Sequence, residues 1–404
     1  MNSTQEQQEK ISKMSLIKAF KNHEIYEVLR SFIKFGADVN AEDNTGKTAL
    51  MKARTPENVR ALIKAGADIN YKNDNGETAL MHATSYATDA SAGNDTELLR
   101  VLIEAGADIN IKDNNGKTAL MKFGFFHDKL EFLKVLIEAG ADVNAKDANG
   151  QTALMIYSYD SEVLSFLIEA GADINAKDNE GKTALMIAAP NRETPDDLRV
   201  FIESGADVNV KDNEGMTALM IAAYRGKPPE ILRVLIEAGA DVNAKNKKGR
   251  TALMQIWPYY SEVARLLIQA GADVNAKGND GVTALMIAAA DHETPEILRL
   301  LIEAGAEVNV KDNKGRTALM MATEYNGRTG HMLALSLCGA PEALRVLIEA
   351  GADVKAKDNM GRTALMIATE HDISPEILSI LTEAEQRSAG NANDCRSDRR
   401  YHTY

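Results

Sequence analysis

Hydrophobic and polar positions follow one pattern that returns along most of this chain. A short apolar run, as at 218–223 ("ALMIAA"), is followed by a polar break and a longer apolar run, as at 231–236. A polar segment rich in Gly, Asp and Asn then leads to the next copy. The apolar face of the longer run is too wide for a surface helix, so it must be covered on two sides. The pattern therefore predicts two helices in each copy, separated by short loops.

Two short blocks mark the copies. Gly-Ala-Asp/Glu begins at ten positions from Gly36 to Gly351, and Thr-Ala-Leu-Met begins at ten positions from Thr48 to Thr363. Both series advance by 30, 40, 34, 31, 34, 34, 32, 34 and 46 residues. A period of about 34 residues is typical of stacked repeats, in which each copy covers the apolar face of its neighbour. The sequence thus predicts one solenoid, although a length of 404 residues alone favours two or three domains.

Turn and helix-terminus signals divide each copy in the same way, as the copy around Thr217 illustrates. Asp212 and Gly215 suit the first and fourth positions of a turn, and Thr217 stands where a helix N-cap belongs. Pro229 suits the first turn of the second helix, and Gly239 suits its C-terminal end. Each copy is predicted to form a helix, a turn, a second helix and a hairpin-like loop.

The recurring segment "GADVNAKDNxGxTALM" resembles the ankyrin repeat family, and the resemblance covers about residues 15–385. It implies an all-α solenoid of about eleven helix-turn-helix units with hairpin loops, and a non-catalytic scaffold that binds proteins. The family signature Thr-Pro-Leu-His reads Thr-Ala-Leu-Met here, as at 183–186. The polar tie that His would make to neighbouring loops is therefore missing, and we expect Met packing to replace it.

Shifts in composition predict the limits of the repeat domain. Residues 1–13 are polar and are expected to be disordered, residues 14–385 form the repeat domain, and residues 386–404 form a polar tail that is also expected to be disordered. Residues 14–43 and 363–385 depart from the repeated blocks. They are predicted to cap the two ends of the domain.

Net charge and cysteine content limit the classes of partner and the cell compartment that fit this chain. The chain has 46 basic and 59 acidic residues, so its net charge of −13 disfavours nucleic acid as a partner. Cys338 and Cys395 form neither a disulfide framework nor a metal cluster, which favours a reducing compartment. The first residues lack the apolar core of a signal peptide, and no apolar run is long enough to cross a bilayer. We expect a cytoplasmic monomer with no cofactor, no metal and no membrane contact.

Two alternative functions remain beside protein binding. His292 and His371 each stand beside a carboxylate and could serve an enzyme or an enzyme regulator. No nucleophile recurs near them, so a solvated polar loop is the simpler interpretation. The other alternative is a secreted effector that acts inside another cell, as some bacterial ankyrin proteins do.

Aromatic residues concentrate between the two helices of a copy, a segment that the family resemblance places at the border of a concave binding groove. Tyr and Trp are the side chains that most often anchor interfaces. Phe123 and Tyr157 replace a small Ala and are expected to pack inward instead. The predicted protein-binding aromatic residues are Phe125, Phe126, Tyr159, Tyr224, Trp257, Tyr259, Tyr260 and Tyr325.

A lysine stands two residues after the Asn of nearly every Gly-Ala-Asp block, and only Glu42 breaks the series. These lysines are predicted to lie on one edge of the repeats. There they either contact an acidic partner surface or form a self-neutralising ladder with neighbouring Asp residues. Insertions near 85–95 and 325–340 also map to loops, which in solenoids often lie on the binding face. The candidate binding lysines are Lys112, Lys146, Lys177 and Lys211.

Overall fold

In the computed structural model the chain forms pairs of helices joined by short loops, and the residues that it describes include no β-strand. The predicted all-α repeat fold is confirmed. Contacts divide the chain into unit 1, residues 1–184 and 203–206, and unit 2, residues 185–202 and 207–404. The structure describes residues 26–34, 36–85, 95–122, 129–191, 195–256, 260–290, 295–323, 340–370 and 374–397.

A short first helix begins directly after the Thr of each Thr-Ala-Leu-Met block. Its Ala, Leu and Met are buried in nine of the ten blocks. The small Ala lets neighbouring first helices approach closely, and Leu and Met fill the space between them. In unit 1 the first helices are Ala49–Lys52, Ala79–Ser85, Ala119–Met121 and Ala153–Ile156. From the unit boundary onward they are Ala184–Ala188, Ala218–Tyr224, Ala252–Gln255, Ala284–Ala290, Ala318–Thr323 and Ala364–Glu370.

A longer second helix completes each repeat, and several start at a proline as predicted. Proline fits the first helical position because the amide it lacks would have no acceptor there. In unit 1 the second helices are Tyr26–Lys34, Pro56–Lys64, Asp95–Glu104, Lys129–Glu138 and Ser161–Glu169. From the unit boundary onward they are Pro195–Glu203, Pro229–Glu237, Ser261–Gln269, Pro295–Glu303, Ala340–Glu349 and Pro375–Ser397.

A glycine with positive φ ends the second helices, as Gly239 illustrates. Its φ is +88°, and the amide of Ala240 donates to the carbonyl of Leu235 at 3.0 Å. A Cβ built at Gly239 meets nothing within 4 Å, so the backbone conformation alone requires glycine here. The predicted helix stop is confirmed.

The predicted threonine N-cap forms in some repeats and is absent in others. The Thr217 hydroxyl accepts a hydrogen bond from the Met220 amide at 3.3 Å, as predicted. In contrast, the Met155 amide donates to the backbone carbonyl of Thr152 at 3.1 Å, as in a 3-10 turn. The N-cap prediction is therefore wrong for three repeats that begin with this tighter turn. Their hydroxyls are buried without a hydrogen-bond partner: Thr118, Thr152 and Thr251.

The two ends of the repeat domain differ from the prediction in one respect. The last second helix continues to Ser397, past residue 386, where the disordered tail is predicted to begin. The sequence there contains no proline, which is consistent with helix continuation. The predicted disordered residues 1–13 and the first helix of the N-terminal cap lie outside the described residues. Within the described part of the chain, every helix is too short or too polar to span a bilayer.

Candidate functional site

Three of the predicted binding residues lie at the surface where a first helix is joined to a second helix. Tyr159 in unit 1 is 46 % exposed, and Tyr224 and Tyr260 in unit 2 are 47 % and 38 % exposed. Tyr157 is only 1 % exposed, which confirms that it packs inward. The binding role of the exposed tyrosines stays a prediction. The other aromatic residues for which a role is predicted lie outside the described residues: Phe123, Phe125, Phe126, Trp257, Tyr259 and Tyr325.

Tyr260 contacts the loop of the preceding repeat at Gly226. A Cβ built on Gly226 would lie 2.3 Å from Cε2 and 2.5 Å from Oη of the Tyr260 ring, so only glycine leaves room for it. Gly226 also has a φ of +62°, which favours glycine. Tyr224 stands two residues before Gly226. Two exposed tyrosines from adjacent repeats thus belong to one loop region of unit 2.

The polar segment from each Gly-Ala-Asp block to the following Thr, here called a finger, is held by an Asp-centred turn. In the finger at 205–217, Asp212 Oδ1 accepts hydrogen bonds from the amides of Glu214 at 2.9 Å and Met216 at 2.8 Å. The Gly215 amide donates to the Asp212 carbonyl at 2.9 Å. The predicted turn is confirmed, and its tip is fixed by bonds within the finger.

An asparagine in nine of the ten fingers binds the next finger, and this role was not predicted. Asn243 Nδ2 donates to the Gly271 carbonyl at 2.9 Å, and Asn243 Oδ1 accepts from the Asp273 amide at 2.7 Å. The only signal in the sequence is an Asn at a fixed position of the Gly-Ala-Asp-x-Asn block. The same donation to the next glycine carbonyl is made by Asn40, Asn70, Asn110, Asn144, Asn175, Asn209, Asn275 and Asn309.

The glycine at each finger tip lets consecutive fingers approach closely. A Cβ on Gly150 would lie 2.5 Å from Oδ1 and 2.7 Å from the amide nitrogen of Asn179. Asn179 in turn donates from its amide to the Asn149 carbonyl and from Nδ2 to the Ala148 carbonyl, both at 2.9 Å. The fingers are therefore tied to one another at the tip as well as at the Asn bridge.

The predicted lysine ladder also connects consecutive fingers. Lys112 Nζ donates to the carbonyl of Lys146, and Lys146 Nζ donates to that of Lys177, both at 2.7 Å. In unit 2, Lys211 Nζ donates to the carbonyl of Lys245 at 2.9 Å. The acceptor is the backbone of the next lysine in the series, rather than a neighbouring Asp. These lysines therefore stabilise the finger row, and their partner-binding role stays a prediction.

A cluster of charged and polar side chains lies at the base of the fingers in unit 1. Lys122 Nζ contacts Glu77 Oε1 of the preceding repeat at 2.5 Å and Asp113 Oδ2 of its own repeat at 2.9 Å. Asn73 Nδ2 donates to Glu77 Oε2 at 3.0 Å, and His82 Nε2 lies 3.3 Å from the same oxygen. Side chains in this cluster expose less than a fifth of their surface. Such a network orders the repeats because each member has a partner.

Burial sets the protonation of this cluster. Burial, together with the positive charge of the nearby Lys47, lowers the pKa of His82 to about 4, so the imidazole is neutral at physiological pH. Burial opposes ionisation of Glu77, but hydrogen bonds from Lys122 and Asn73 outweigh it and lower its pKa to about 2. Because His82 is neutral and Glu77 is already ionised and paired, the arrangement supports structure rather than acid–base chemistry.

The residues of the alternative enzyme hypothesis, His292 and His371, lie outside the described residues. In the described ranges no group of three or more His, Cys, Asp or Glu side chains is arranged to hold a metal ion.

Comparison with known proteins matches most of the chain to one family. The family model described as "Ankyrin repeats (3 copies)" matches six overlapping segments, at 16–113, 55–147, 86–178, 125–212, 185–278 and 258–337. Among solved structures, the chain is similar to the crystal structure of the ankyrin repeat domain of Bcl-3, described as a unique member of the IkappaB protein family. That match has 26 % identity and a TM-score of 0.47, and it covers 58 % of this chain and 99 % of the other. The comparison with curated proteins gives no match.

Proposed function

This chain belongs to the ankyrin repeat family, and from that premise we propose that it is a non-catalytic scaffold that binds a partner protein through its inter-helix loops and fingers. Ankyrin repeats generally mediate protein–protein interaction, and the fold is typically a non-catalytic scaffold. The observation that carries the proposal is the exposure of Tyr159, Tyr224 and Tyr260 in or beside the loops that join the two helices of their repeats. Exposed tyrosines on a rigid frame make effective anchors because they lose little conformational entropy on binding.

The frame that supports these loops is pre-organised. Asp turns, Asn bridges, lysine ladders and finger-tip contacts fix each repeat relative to its neighbour within a unit, as the bonds of Asn243 illustrate. A surface that is already ordered loses less entropy on binding than a flexible one. This supports recognition by shape and by a few anchor residues.

Affinity capture tests the proposal. The full chain is immobilised, proteins of the source cell are passed over it, and retained proteins are identified by mass spectrometry. A variant with Tyr159→Ala, Tyr224→Ala and Tyr260→Ala is compared with a control that truncates exposed apolar residues elsewhere, Tyr26→Ala, Met360→Ala and Met366→Ala. We expect the tyrosine variant to bind a retained partner at least about thirtyfold more weakly, which corresponds to a loss of roughly 2 kcal/mol of binding free energy. Equal loss in both variants, or no retained protein, would reject the proposal.

We propose further that the protein is a monomer in the cytoplasm and binds neither nucleic acid nor membranes. A net charge of −13 repels phosphate groups, and a chain with two cysteines suits a reducing compartment. Size-exclusion chromatography and cell fractionation test these points. Recovery of the protein from the culture medium would instead favour a secreted effector.

A further inference from the structure

We propose that one loop region of unit 2, formed by Tyr224, Arg225, Lys227 and Tyr260, binds an acidic segment of a partner protein. This inference rests on the proposed protein-binding function and names the chemistry of the partner at one surface. The four residues, here called the Tyr224–Tyr260 surface, come from two adjacent repeats that meet where the Tyr260 ring contacts Gly226. Three observations support a partner segment that combines an apolar side chain with carboxylates.

The first observation is the pair of tyrosines. Tyr224 and Tyr260 are 47 % and 38 % exposed, and they are among only six large hydrophobic side chains that stand out as exposed in the described residues. The close contact with Gly226 fixes the Tyr260 ring at one place rather than leaving it mobile over the surface. Two ordered rings offer an apolar side chain of a partner a place to pack.

The second observation is the local positive charge. Arg225 is exposed and Lys227 is half-buried, and neither side chain has a hydrogen bond or an ion pair with any residue that the structure describes. Exposed arginines elsewhere are of both kinds, since Arg299 pairs with Glu342 of the next repeat, whereas Arg233 and Arg265 have no side-chain partner among the described residues. The chain as a whole has a net charge of −13, but salt screens charges beyond about 8 Å. The charges close to a docked segment therefore determine whether an acidic or a basic segment is attracted.

The third observation comes from two repeats with closely similar sequences before and inside the second helix. "YSYDSEV" at 157–163 becomes "WPYYSEV" at 257–263, so Tyr260 stands where Asp160 stands in the earlier repeat. Asp160 Oδ1 caps its helix by accepting from the Val163 amide at 3.2 Å. Tyr260 makes no side-chain cap, and the Val263 amide has no acceptor among the described residues.

The helix of the preceding repeat starts in the same way. Pro228 is its N-cap and provides no side-chain cap. Two neighbouring helices of unit 2 thus begin without a side-chain acceptor, which is the role that Ser, Thr, Asp or Asn usually fills. The Ile231 amide donates to the backbone carbonyl of Pro228 at 3.0 Å, so what these helix starts offer a carboxylate from outside is the positive end of the helix dipole. Glu230 and Glu262 lie in these first turns, but neither has a hydrogen bond to an amide there.

The occupant that fits is an extended segment with several Asp or Glu residues and one apolar side chain. Its carboxylates contact Arg225 and Lys227 beside the two helix N-termini, and its apolar side chain packs between the tyrosines. Within the chain itself, the Asp160 cap shows that a carboxylate is a suitable acceptor at this position. A basic segment would meet Arg225 and Lys227 with like charge.

Binding of short labelled peptides to the full chain tests the inference by fluorescence anisotropy. The probes are peptides of equal length built from Glu-Glu-Leu, Gln-Gln-Leu and Lys-Lys-Leu triplets. We expect only the Glu-Glu-Leu peptide to bind, and its affinity to fall as salt is added. Equal binding of the Gln-Gln-Leu peptide would overturn the role of charge, and preference for the Lys-Lys-Leu peptide would overturn the inference as a whole.

Two variants locate the binding. Tyr260→Asn supplies a side-chain cap, so we expect it to raise the melting temperature. It also removes the ring without adding charge, so we expect the affinity for the Glu-Glu-Leu peptide to fall by about tenfold or more. A purely structural tyrosine would not give gain of stability together with loss of binding. Retention of peptide affinity in this variant would overturn the inference.

The second variant, Arg225→Glu with Lys227→Glu, has a matched control in Lys247→Glu with Lys248→Glu, which makes the same charge change at an exposed finger tip. We expect loss of peptide binding only in the first pair. Equal loss in both pairs would show a general effect of net charge and would overturn the inference. If the peptide fails but affinity capture still retains a tyrosine-dependent partner, the inference fails while the proposed function stands.

Discussion

His82 Nε2 lies 3.3 Å from Glu77 Oε2 in the same repeat, and both side chains are largely buried. The two groups have pKa values of about 4 and about 2, and both values lie below those of an unfolded chain. The folded state therefore takes up protons less readily than the unfolded state. Stability that is present above the unfolded pKa of each group is lost as the pH falls towards its folded pKa.

We predict that the repeat around His82 loses stability between about pH 6.5 and pH 4, where the unfolded chain protonates this histidine and the folded chain does not. From about pH 7 to pH 5 the loss amounts to roughly 2 kcal/mol. Hydrogen exchange of residues 79–85 at several pH values, corrected for intrinsic exchange, measures it. In His82→Gln this loss disappears, while the loss below about pH 4.5 that Glu77 causes remains. An identical pH profile in wild type and variant would contradict the assignment.

Removal of an Asn bridge is predicted to uncouple neighbouring repeats. Asn243→Ala deletes the bonds to the Gly271 carbonyl and the Asp273 amide and should cost about 1–2 kcal/mol. Lys355→Ala is the matched control, because Lys355 stands at the same position of the last described finger and has no following Gly-Ala-Asp block to bind. Urea unfolding measures both. A cost in Lys355→Ala equal to that in Asn243→Ala would show that the bridge is not the cause.

A second matched pair separates backbone strain from close packing at the finger tips. Gly150 and Gly361 have φ values of +76° and +78°, so alanine is equally strained at either position. A Cβ at Gly150 meets Asn179 at 2.5 Å, whereas a Cβ at Gly361 meets nothing within 4 Å. We expect Gly361→Ala to cost about 1 kcal/mol and Gly150→Ala about 2 kcal/mol more, measured by thermal unfolding. Similar costs would mean that consecutive fingers adapt freely.

The two kinds of threonine predict opposite responses to one substitution. Thr217→Val removes the cap on the Met220 amide and should cost about 1 kcal/mol. Thr152→Val replaces a buried hydroxyl that has no hydrogen-bond partner, so it should be neutral or stabilising. Chemical denaturation compares the two variants. Thr152→Val fails the prediction if it is as destabilising as Thr217→Val.

Local rules predicted the repeats correctly, whereas contacts between repeats were largely hidden in the sequence. Asp212, Pro229 and Gly239 act on their own turn or helix end, so their roles follow from residues close by in the chain. The partners of Asn243 are a carbonyl and an amide of the next finger, about thirty residues away, and no side-chain pattern marks them.

Two other differences have equally specific causes. The sequence Thr-Ala-Leu-Met is the same in all ten repeats, so the loss of the cap at Thr152 depends on the tighter turn that follows it. For the candidate site, the sequence identified the loops, and the structure shows which described tyrosines are exposed and which is buried. The structure also shows that Arg225 and Lys227 lie beside these tyrosines. The missing cap at Tyr260 becomes visible only by comparison with the bonds of Asp160.

The Asn bridges bear on how such a chain changes length during evolution. Asn243 binds Gly271 and Asp273, and Asn275 binds Gly305 and, through its Oδ1, the amide of Glu307 in the same way. Recombination that deletes residues 244–275 would leave Asn243 facing the block that Asn275 now binds. A gene segment that runs from one such asparagine codon to the next can therefore be lost or duplicated without breaking the hydrogen-bonded row. The segment that can be lost or duplicated is therefore bounded by two consecutive Asn bridges rather than by the ends of the helices.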